Sequence, residues 1–429
     1  MARTPRAAAL AVLEKCRRSG AWSDAVMDSV IRESGLDGRD AALCTRLCTG
    51  VQQNVSLCDF YVDAYSSVKA AKLEPRILDI LRLSIYQLLF MDRIPGHAAV
   101  SEGVALAKRH NPRAAGLVNA VLRRVSENKD NLPEVPGKGT ARYLSVKYSH
   151  PLWLCDTLIA ERGYEFAEAM LEANNSAPKA TAQVNTNKIS CKELIERFSQ
   201  EGVECAETAV PNSLEISGFG DMKKLNSFRE GLFYIQDNAA KLSVLHAAPK
   251  PGMDVLDACS APGGKSFAAA VAMDNKGSIV SCDIHENKLK RINESAQRLG
   301  IDIISTRVMD ARKPDDSYKE RFDLVLADVP CSGIGVIRKK PDIRQKEEGD
   351  VLRLPEIQLD ILRGLSACVK PGGAILYSTC TVLKRENEGV VEAFLNENHD
   401  FTLEGEMRTL FPNVDGTDGF FICKLRKKA

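Results

Sequence analysis

Two cysteines in this chain stand in contexts suited to chemistry. Cys331 lies in Asp328-Val329-Pro330-Cys331-Ser332-Gly333, and Cys380 lies in Tyr377-Ser378-Thr379-Cys380-Thr381. Each follows a short apolar run, and Asp328 closes the first of these runs. Two thiols and a carboxylate converging on one pocket suit a particular reaction on a pyrimidine. Carbon 5 of cytosine is a poor nucleophile until a thiolate adds at carbon 6. An acid at ring nitrogen 3 assists that addition, and the activated carbon 5 then takes a methyl group from a sulfonium donor. Loss of the proton at carbon 5 and expulsion of the thiol complete the cycle. This chemistry needs a nucleophile of lowered pKa, an acid near the base and a second group that aids release. Cys380, Cys331 and Asp328 match that set. The plainer reading stays open on spacing alone, because free cysteine is among the most buried residue types and the chain has thirteen.

A second constellation precedes these residues. The run Met253–Cys259 ends in Asp257-Ala258-Cys259-Ser260-Ala261-Pro262-Gly263-Gly264-Lys265-Ser266. A glycine-rich turn between strand and helix lets a ligand approach the backbone closely. Its spacing matches neither GxGxxG nor GxxxxGK[ST], so no dinucleotide or triphosphate fingerprint is met. A methionine carboxylate with its sulfonium neighbour suits such a shorter turn with one lysine. Asp283 follows roughly 20 residues later, where an acid commonly accepts the ribose hydroxyls of an adenosine ligand. Asp310, in Met309-Asp310-Ala311-Arg312, is placed to accept from an adenine amino group. Each aspartate taken singly reads equally as a strand-end cap. Together with the glycine turn they favour an adenosyl cofactor.

These residues must be positioned by a sheet. The runs Met253–Cys259, Gly277–Ile284, Asp302–Asp310, Phe322–Cys331 and Gly372–Cys380 alternate with helical segments. That pattern predicts a Rossmann-like α/β domain over 236–429, a mostly parallel, doubly wound sheet whose ligands bind beyond the C-terminal strand ends. Upstream, apolar residues recur at helical spacing in Ala9–Val12–Leu13, Leu78–Leu81–Ile85–Leu88–Leu89 and Val100–Val104–Ala107. They predict an all-α domain over 1–130. The segment Asn131–Gly139, with two prolines and two glycines, reads as a linker. Between 140 and 235, helices around Leu152–Arg162 and Glu165–Ala173 precede short alternating runs in ATAQVN and LFYIQD, a small α+β segment.

The remaining composition narrows the partners. Net charge is +1 overall. Residues 1–130 carry 19 Lys+Arg against 14 Asp+Glu, a net of 19 − 14 = +5, so the rest sums to −4. A mildly basic helical domain is compatible with RNA contact. The basic residues Arg338, Lys339, Lys340 and Arg344 follow the Pro-Cys loop and suit phosphates near the target, or a solvated loop. No CxxC occurs, and the closest cysteine pair is Cys44 and Cys48, so no metal site is expected. Reduced thiols in the cytosol suit a chain of this size. The first twenty residues lack a long apolar stretch and no 18-residue apolar run occurs, so neither signal peptide nor membrane span is expected. A monomer is the default.

DACSAPGGK, ADVPCSG and YSTCTVLKRENE together resemble the motif set of the RNA cytosine-C5 methyltransferases, in the branch acting on bacterial small-subunit (16S) rRNA. The resemblance covers essentially the full length. Residues 1–130 resemble the RNA-binding NusB antitermination fold, with GLVNAVLRR the most characteristic piece, and YSHPLWL, IQDNAA and DGFFICKLRK continue the match. It implies S-adenosylmethionine as cofactor, wrapped by Cys259, Ser260, Ala261, Pro262, Gly263, Gly264 and Lys265. It also implies Asp283 at the ribose, Asp310 by the adenine, and Asp328 by the methyl donor and target base. Cys380 is implied as nucleophile and Cys331 as the residue assisting product release, the reverse of the order in DNA cytosine methyltransferases. One departure is visible. Where the family usually has an acidic pair after Leu383, this chain has Lys384-Arg385, which bears on local RNA contacts. Two other functions compete with this one, an inactive RNA-binding or ribosome-assembly factor and a methyltransferase acting on tRNA or an exocyclic amine. The paired cysteines and strand-end acids argue against a scaffold. An amine target typically goes with an aromatic after Asp-Pro, and here Cys331 follows Pro330.

Overall fold

A computed structural model describes residues 4–19 and 24–429. They divide into two compact units. One comprises the described residues up to Ser176 together with Ile337–Glu348, and the other Ala177–Val336 with Gly349–Ala429.

The first unit is helical. Its centre is the helix Pro75–Phe90, in which Ile77, Leu78, Ile80, Leu81, Leu83, Ile85, Tyr86 and Leu88 are all buried. A helix apolar around most of its circumference must be surrounded. The helices Pro5–Ser19, Gly38–Gln53, Val55–Tyr65, Gly96–His110 and Ala115–Glu127 supply the buried partners, among them Val12, Leu47, Val62, Leu106 and Leu122. Asp79 is buried in this core and is paired with Arg17 at 3.2 Å and Arg82 at 3.3 Å.

This grouping by packing cuts across the segments read in the sequence. Leu132 and Val135, inside the expected linker, pack on the helical core. The helices Ala141–Lys147, Leu152–Arg162 and Tyr164–Ala173, expected in the α+β segment, belong to the helical unit. So does the basic stretch 337–348. Its Arg344 is buried, not solvated. The guanidinium donates to the carbonyls of Tyr148, Ser149 and Asn174 at 2.9, 3.0 and 3.2 Å and to Asn175 Oδ1 at 2.7 Å. Burial pulls its pKa down to about 9, and burial, with the Arg344 charge adding to it, holds His150 well below its usual value. Arg344 therefore fastens a structural joint. We expect Arg344→Met to strand the buried carbonyls of Ser149 and Asn174 and to cost the helical unit about 2–4 kcal/mol. A urea-melt midpoint equal to that of the unaltered protein would refute this role.

The second unit holds two sheets. Strands β1 (Ala180–Val184), β2 (Glu204–Glu207), β3 (Ser213–Ser217) and β4 (Phe233–Ile235) form an antiparallel sheet in the order β2-β3-β1-β4. The helix Cys191–Gln200, started by a Ser190/Glu193 capping box, packs Leu194 and Phe198 on it. The larger sheet contains β5 (Asp254–Asp257), β6 (Ser278–Asp283), β7 (Ile304–Val308), β8 (Phe322–Asp328), β9 (Val369–Thr379), β10 (Phe401–Leu403), β11 (Arg408–Leu410) and β12 (Phe420–Lys427). Its order is β10-β12-β9-β8-β5-β6-β7, with β11 also on β12. Strands β7 through β9 are parallel, and β12 runs antiparallel to β9.

Both faces of this sheet are covered. Leu324 and Leu326 enter one apolar core while Val325 and Ala327 enter the other, as alternation along a strand requires. Such burial explains the near-continuous apolar runs in the sequence. The chain leaves β5 toward β6 and later returns on its other side as β8. The topological switch point therefore lies at the C-terminal ends of β5 and β8.

Candidate active site

The C-terminal ends of β8 and β9 lie side by side, with Asp328 opposite Ser378 in the register. The chain turns out of the sheet at both ends and carries one cysteine on each turn. The sulfurs of Cys331 and Cys380 are 3.0 Å apart. Backbone bonds from Val329 N to Ser378 O (3.1 Å) and from Gly335 N to Cys380 O (3.0 Å) fix the two turns to each other. Gly335 is needed there, since a Cβ at this position would stand 1.9 Å from the carbonyl oxygen of Gly419.

Asp328 joins this pair. Its Oδ1 accepts from the Ser378 hydroxyl at 3.0 Å, and its Oδ2 lies 2.6 Å from the Lys265 ammonium. Lys265 is itself nearly buried, with its ammonium 4.8 Å from the centre of the Phe420 ring. The hydrogen bond with Cys380 holds the Cys331 thiol far above its ordinary pKa, and burial and the nearby charges of Cys380, Glu386 and Asp328 add to the effect.

The turn after β5 is fastened to β6, where Ser260 donates from its backbone N–H and its hydroxyl to Cys282 O at 2.7 and 2.9 Å. Gly263 has φ 107°, and a Cβ there would meet the Phe267 ring at 2.6 Å, so only glycine fits. Two cavities flank this turn. The larger, about 410 Å³, is lined by Cys259, Asp283, Asp310, Arg312, Pro330 and Ile357 among others. It offers an apolar slot with carboxylates on its rim, the pattern an adenosine needs. Asp283 is held by the His285 N–H at 2.9 Å and by Lys288 at 3.3 Å. Asp310 takes three bonds from the Arg312 guanidinium, and these hold its carboxyl below the usual range.

The smaller cavity, about 180 Å³, is lined by Gln236, Asp257, Ser260, Gly264, Lys265 and Asp328. Two of its buried oxygens, Asp257 Oδ1 and Gln236 Oε1, have no hydrogen-bond partner. Burial pushes the Asp257 carboxyl up to about 7 despite the hydrogen bond from Ser266. Orphaned acceptors of this kind fit a ligand with several N–H donors, such as the α-ammonium of an amino acid. The residues present thus fit both halves of an adenosyl-methionine.

The structure brings Cys331, Cys380, Asp328 and Lys265 together, and arranges Cys259, Ser260, Ala261, Pro262 and Gly264 with Asp283 and Asp310 around the adjoining cavities. Sequence reasoning missed Gln236, Asp257 as a lining group, Lys288 and Ile357. Asp257 was visible as the acid closing the β5 run, whereas Gln236 and Ile357 reach the site only through tertiary packing. Among the described residues, no group of three or more His, Cys, Asp or Glu is placed to hold a metal ion, and no helix is long and apolar enough to cross a membrane. None of the thirteen cysteines forms a disulfide.

A family model described as 16S rRNA methyltransferase RsmB/F matches residues 244–426. The NusB family matches 3–127, and a ferredoxin-like domain of RsmF/B-like methyltransferases matches 150–223. The probable ribosomal RNA small subunit methyltransferase B of Bacillus subtilis is 38% identical and covers 98% of each chain. The ribosomal RNA small subunit methyltransferase B of Vibrio cholerae is 35% identical over 91% of this chain and 90% of its own. Among solved structures, that of PH0851 superposes with a TM-score of 0.81 at 26% identity, covering 100% of both chains.

Proposed function

The chain belongs to the ribosomal RNA small subunit methyltransferase B family and is thereby an S-adenosylmethionine-dependent RNA methyltransferase; from that premise we propose that it methylates carbon 5 of one cytosine in 16S rRNA through a covalent adduct of Cys380 at carbon 6. The observation that carries this reading is the 3.0 Å separation of the Cys331 and Cys380 sulfurs beside Asp328.

S-adenosylmethionine, held by the turn from Cys259 to Lys265 with Asp283 and Asp310, supplies an activated methyl group on a sulfonium centre. Beyond the hydrogen bond with Cys380, burial and the neighbouring Glu386 and Asp328 charges keep the proton on Cys331, which makes it the donor of the 3.0 Å sulfur contact in this mechanism and leaves Cys380 to attack. Protonated Asp328 gives its proton to ring nitrogen 3 as Cys380 adds at carbon 6 and takes it back as Cys380 leaves, and the Lys265 ammonium at 2.6 Å steadies the carboxylate in between. Once Cys380 is a thioether, it no longer presents a charge or a strong acceptor to Cys331. The Cys331 thiol then becomes the better acid and loses its proton to solvent. As a thiolate it removes the proton from carbon 5, the carbon 5–carbon 6 double bond re-forms, and Cys380 leaves. The target base must stand outside a stacked helix to reach this crevice.

Bisulfite sequencing of ribosomal and transfer RNA tests the substrate. A strain lacking the gene should lose protection at one 16S cytosine, and the gene should restore it. Loss at a tRNA position instead would overturn the rRNA assignment.

The smaller cavity gives a second expectation. Asp257 must be ionised to receive the α-ammonium, so affinity for S-adenosylmethionine rises as pH rises through about 7. Between about pH 6 and about pH 7.5, where the ammonium is still largely protonated, the gain is roughly 5- to 10-fold. Asp257→Asn flattens the profile at weaker affinity. Titration calorimetry giving a pH-independent Kd for the unaltered protein would remove this role.

A further inference from the structure

A buried pair downstream of the second cysteine, Glu386-Asn387, is not used by the chemistry above, and both residues are fully inaccessible. Their contacts follow a pattern. Glu386 Oε2 accepts from the backbone N–H of Ser332, the residue after Cys331, at 2.8 Å. It also accepts from Gln358 Nε2 at 3.0 Å, and that same amide donates to the carbonyl of Pro330, the residue before Cys331, at 2.9 Å. Asn387 treats Cys380 in the same way. Its Oδ1 accepts from the hydroxyl of Thr379, the preceding residue, at 2.6 Å, and its Nδ2 donates to the carbonyl of Thr381, the following residue, at 3.1 Å. A bond from the Ser332 hydroxyl to the Thr381 hydroxyl at 2.8 Å ties the turns together, and the Tyr377 hydroxyl donates to Glu386 O at 2.6 Å.

We propose that Glu386 and Asn387 form a clamp that sets the two sulfurs, Glu386 positioning Cys331 through both of its chain neighbours and Asn387 positioning Cys380 through both of its own. The buried carboxylate is held by donors rather than by a cation among the described residues: its Oε2 takes the Ser332 N–H of the segment it holds and the Gln358 amide that reaches the same segment, while its Oε1 has no partner. Two consecutive residues acting on two separate turns make the sulfur separation a single mechanical setting. Displacing one turn by about 1 Å is enough to cost about 10²-fold in rate.

The inference rests on the roles assigned above to Cys331 and Cys380, and the experiment separates the two. Methyl transfer, S-adenosylmethionine affinity and covalent protein–RNA adduct on a denaturing gel are measured for Glu386→Ala, Glu386→Gln, Asn387→Ala and Cys331→Ala. Glu386→Ala moves Cys331 away, so turnover falls about 10- to 100-fold, cofactor affinity is kept and adduct accumulates. Asn387→Ala moves the nucleophile instead, so turnover falls by a similar factor and no adduct accumulates. In Glu386→Gln the amide oxygen still accepts from Ser332, so turnover falls only a few-fold and adduct stays low. A fold defect would lower cofactor affinity and would not build adduct. If Cys331→Ala gives no adduct, the reading of the cysteines fails. If it does and Glu386→Ala gives none, or if Glu386→Gln accumulates as much as Cys331→Ala, the clamp is overturned. Should Glu386→Ala fail to fold, Asn387→Ala decides: cofactor affinity kept with turnover within about twofold of the unaltered enzyme overturns the clamp, and kept affinity with a loss of about 10- to 100-fold and no adduct supports it.

Discussion

Cys380→Ala lowers methyl transfer to 16S rRNA by at least about 10⁴-fold, the scale seen when the nucleophile of a covalent mechanism is removed. The loss has one cause. Without a thiolate at carbon 6, carbon 5 stays aromatic in character and does not attack the methyl donor. Cofactor affinity stays within about twofold, because Cys380 is absent from the lining of the cavities that fit the adenosine and amino acid. A tritiated-methyl assay paired with calorimetry separates the two effects. Turnover within about tenfold of the unaltered enzyme would end the assignment of Cys380.

Cys331→Ala fails at the opposite end of the cycle. Cys380 keeps its reach to carbon 6, so the methyl group is transferred once. The group that removes the carbon 5 proton is then missing, and the enzyme stays attached to its product. A near-stoichiometric retarded band on a denaturing gel is expected, labelled from tritiated cofactor. The variant also lacks the sulfur 3.0 Å from that of Cys380, which the proposed mechanism makes the donor, so adduct forms more slowly than a single turnover of the unaltered enzyme. Complete inactivity without any retarded band would show that Cys331 is needed before the adduct, not after it.

The strands of the large sheet were legible because a strand buried on both faces leaves a continuous apolar run. The residues ending each run, Asp257, Asp283, Asp328 and Thr379, fall where parallel strands deliver their C-terminal ends. Cys331 and Cys380 were legible for the same reason, although only tertiary structure brings their sulfurs within contact. The packing of 141–173 and 337–348 with the helical residues was not legible. The helices at 141–173 have the pattern of any amphipathic helix, and what draws 337–348 to the helical unit is a set of bonds distant in sequence: Arg344 on carbonyls about 170–196 residues away, Trp153 Nε1 on Lys346 O and Gln53 Nε2 on Arg338 O. The same Arg344 reads as a phosphate ligand in a basic stretch and proves to be a structural joint. Glu386 was visible only as part of a familiar string. Its action on Cys331 crosses 54 residues to a backbone N–H, which leaves no mark on side-chain pattern.

The mechanism turns on which sulfur bonds to the base, and one measurement reads that directly. RNA carrying 5-fluorocytidine at the target has no removable proton at carbon 5, so the adduct formed by the unaltered enzyme cannot resolve. Protease digestion and mass spectrometry of this complex should place the methylated fluoropyrimidine on the peptide containing Cys380, with Cys331 unmodified. A crosslink on Cys331, or recovery of both cysteines free after cofactor has been consumed, would contradict the mechanism.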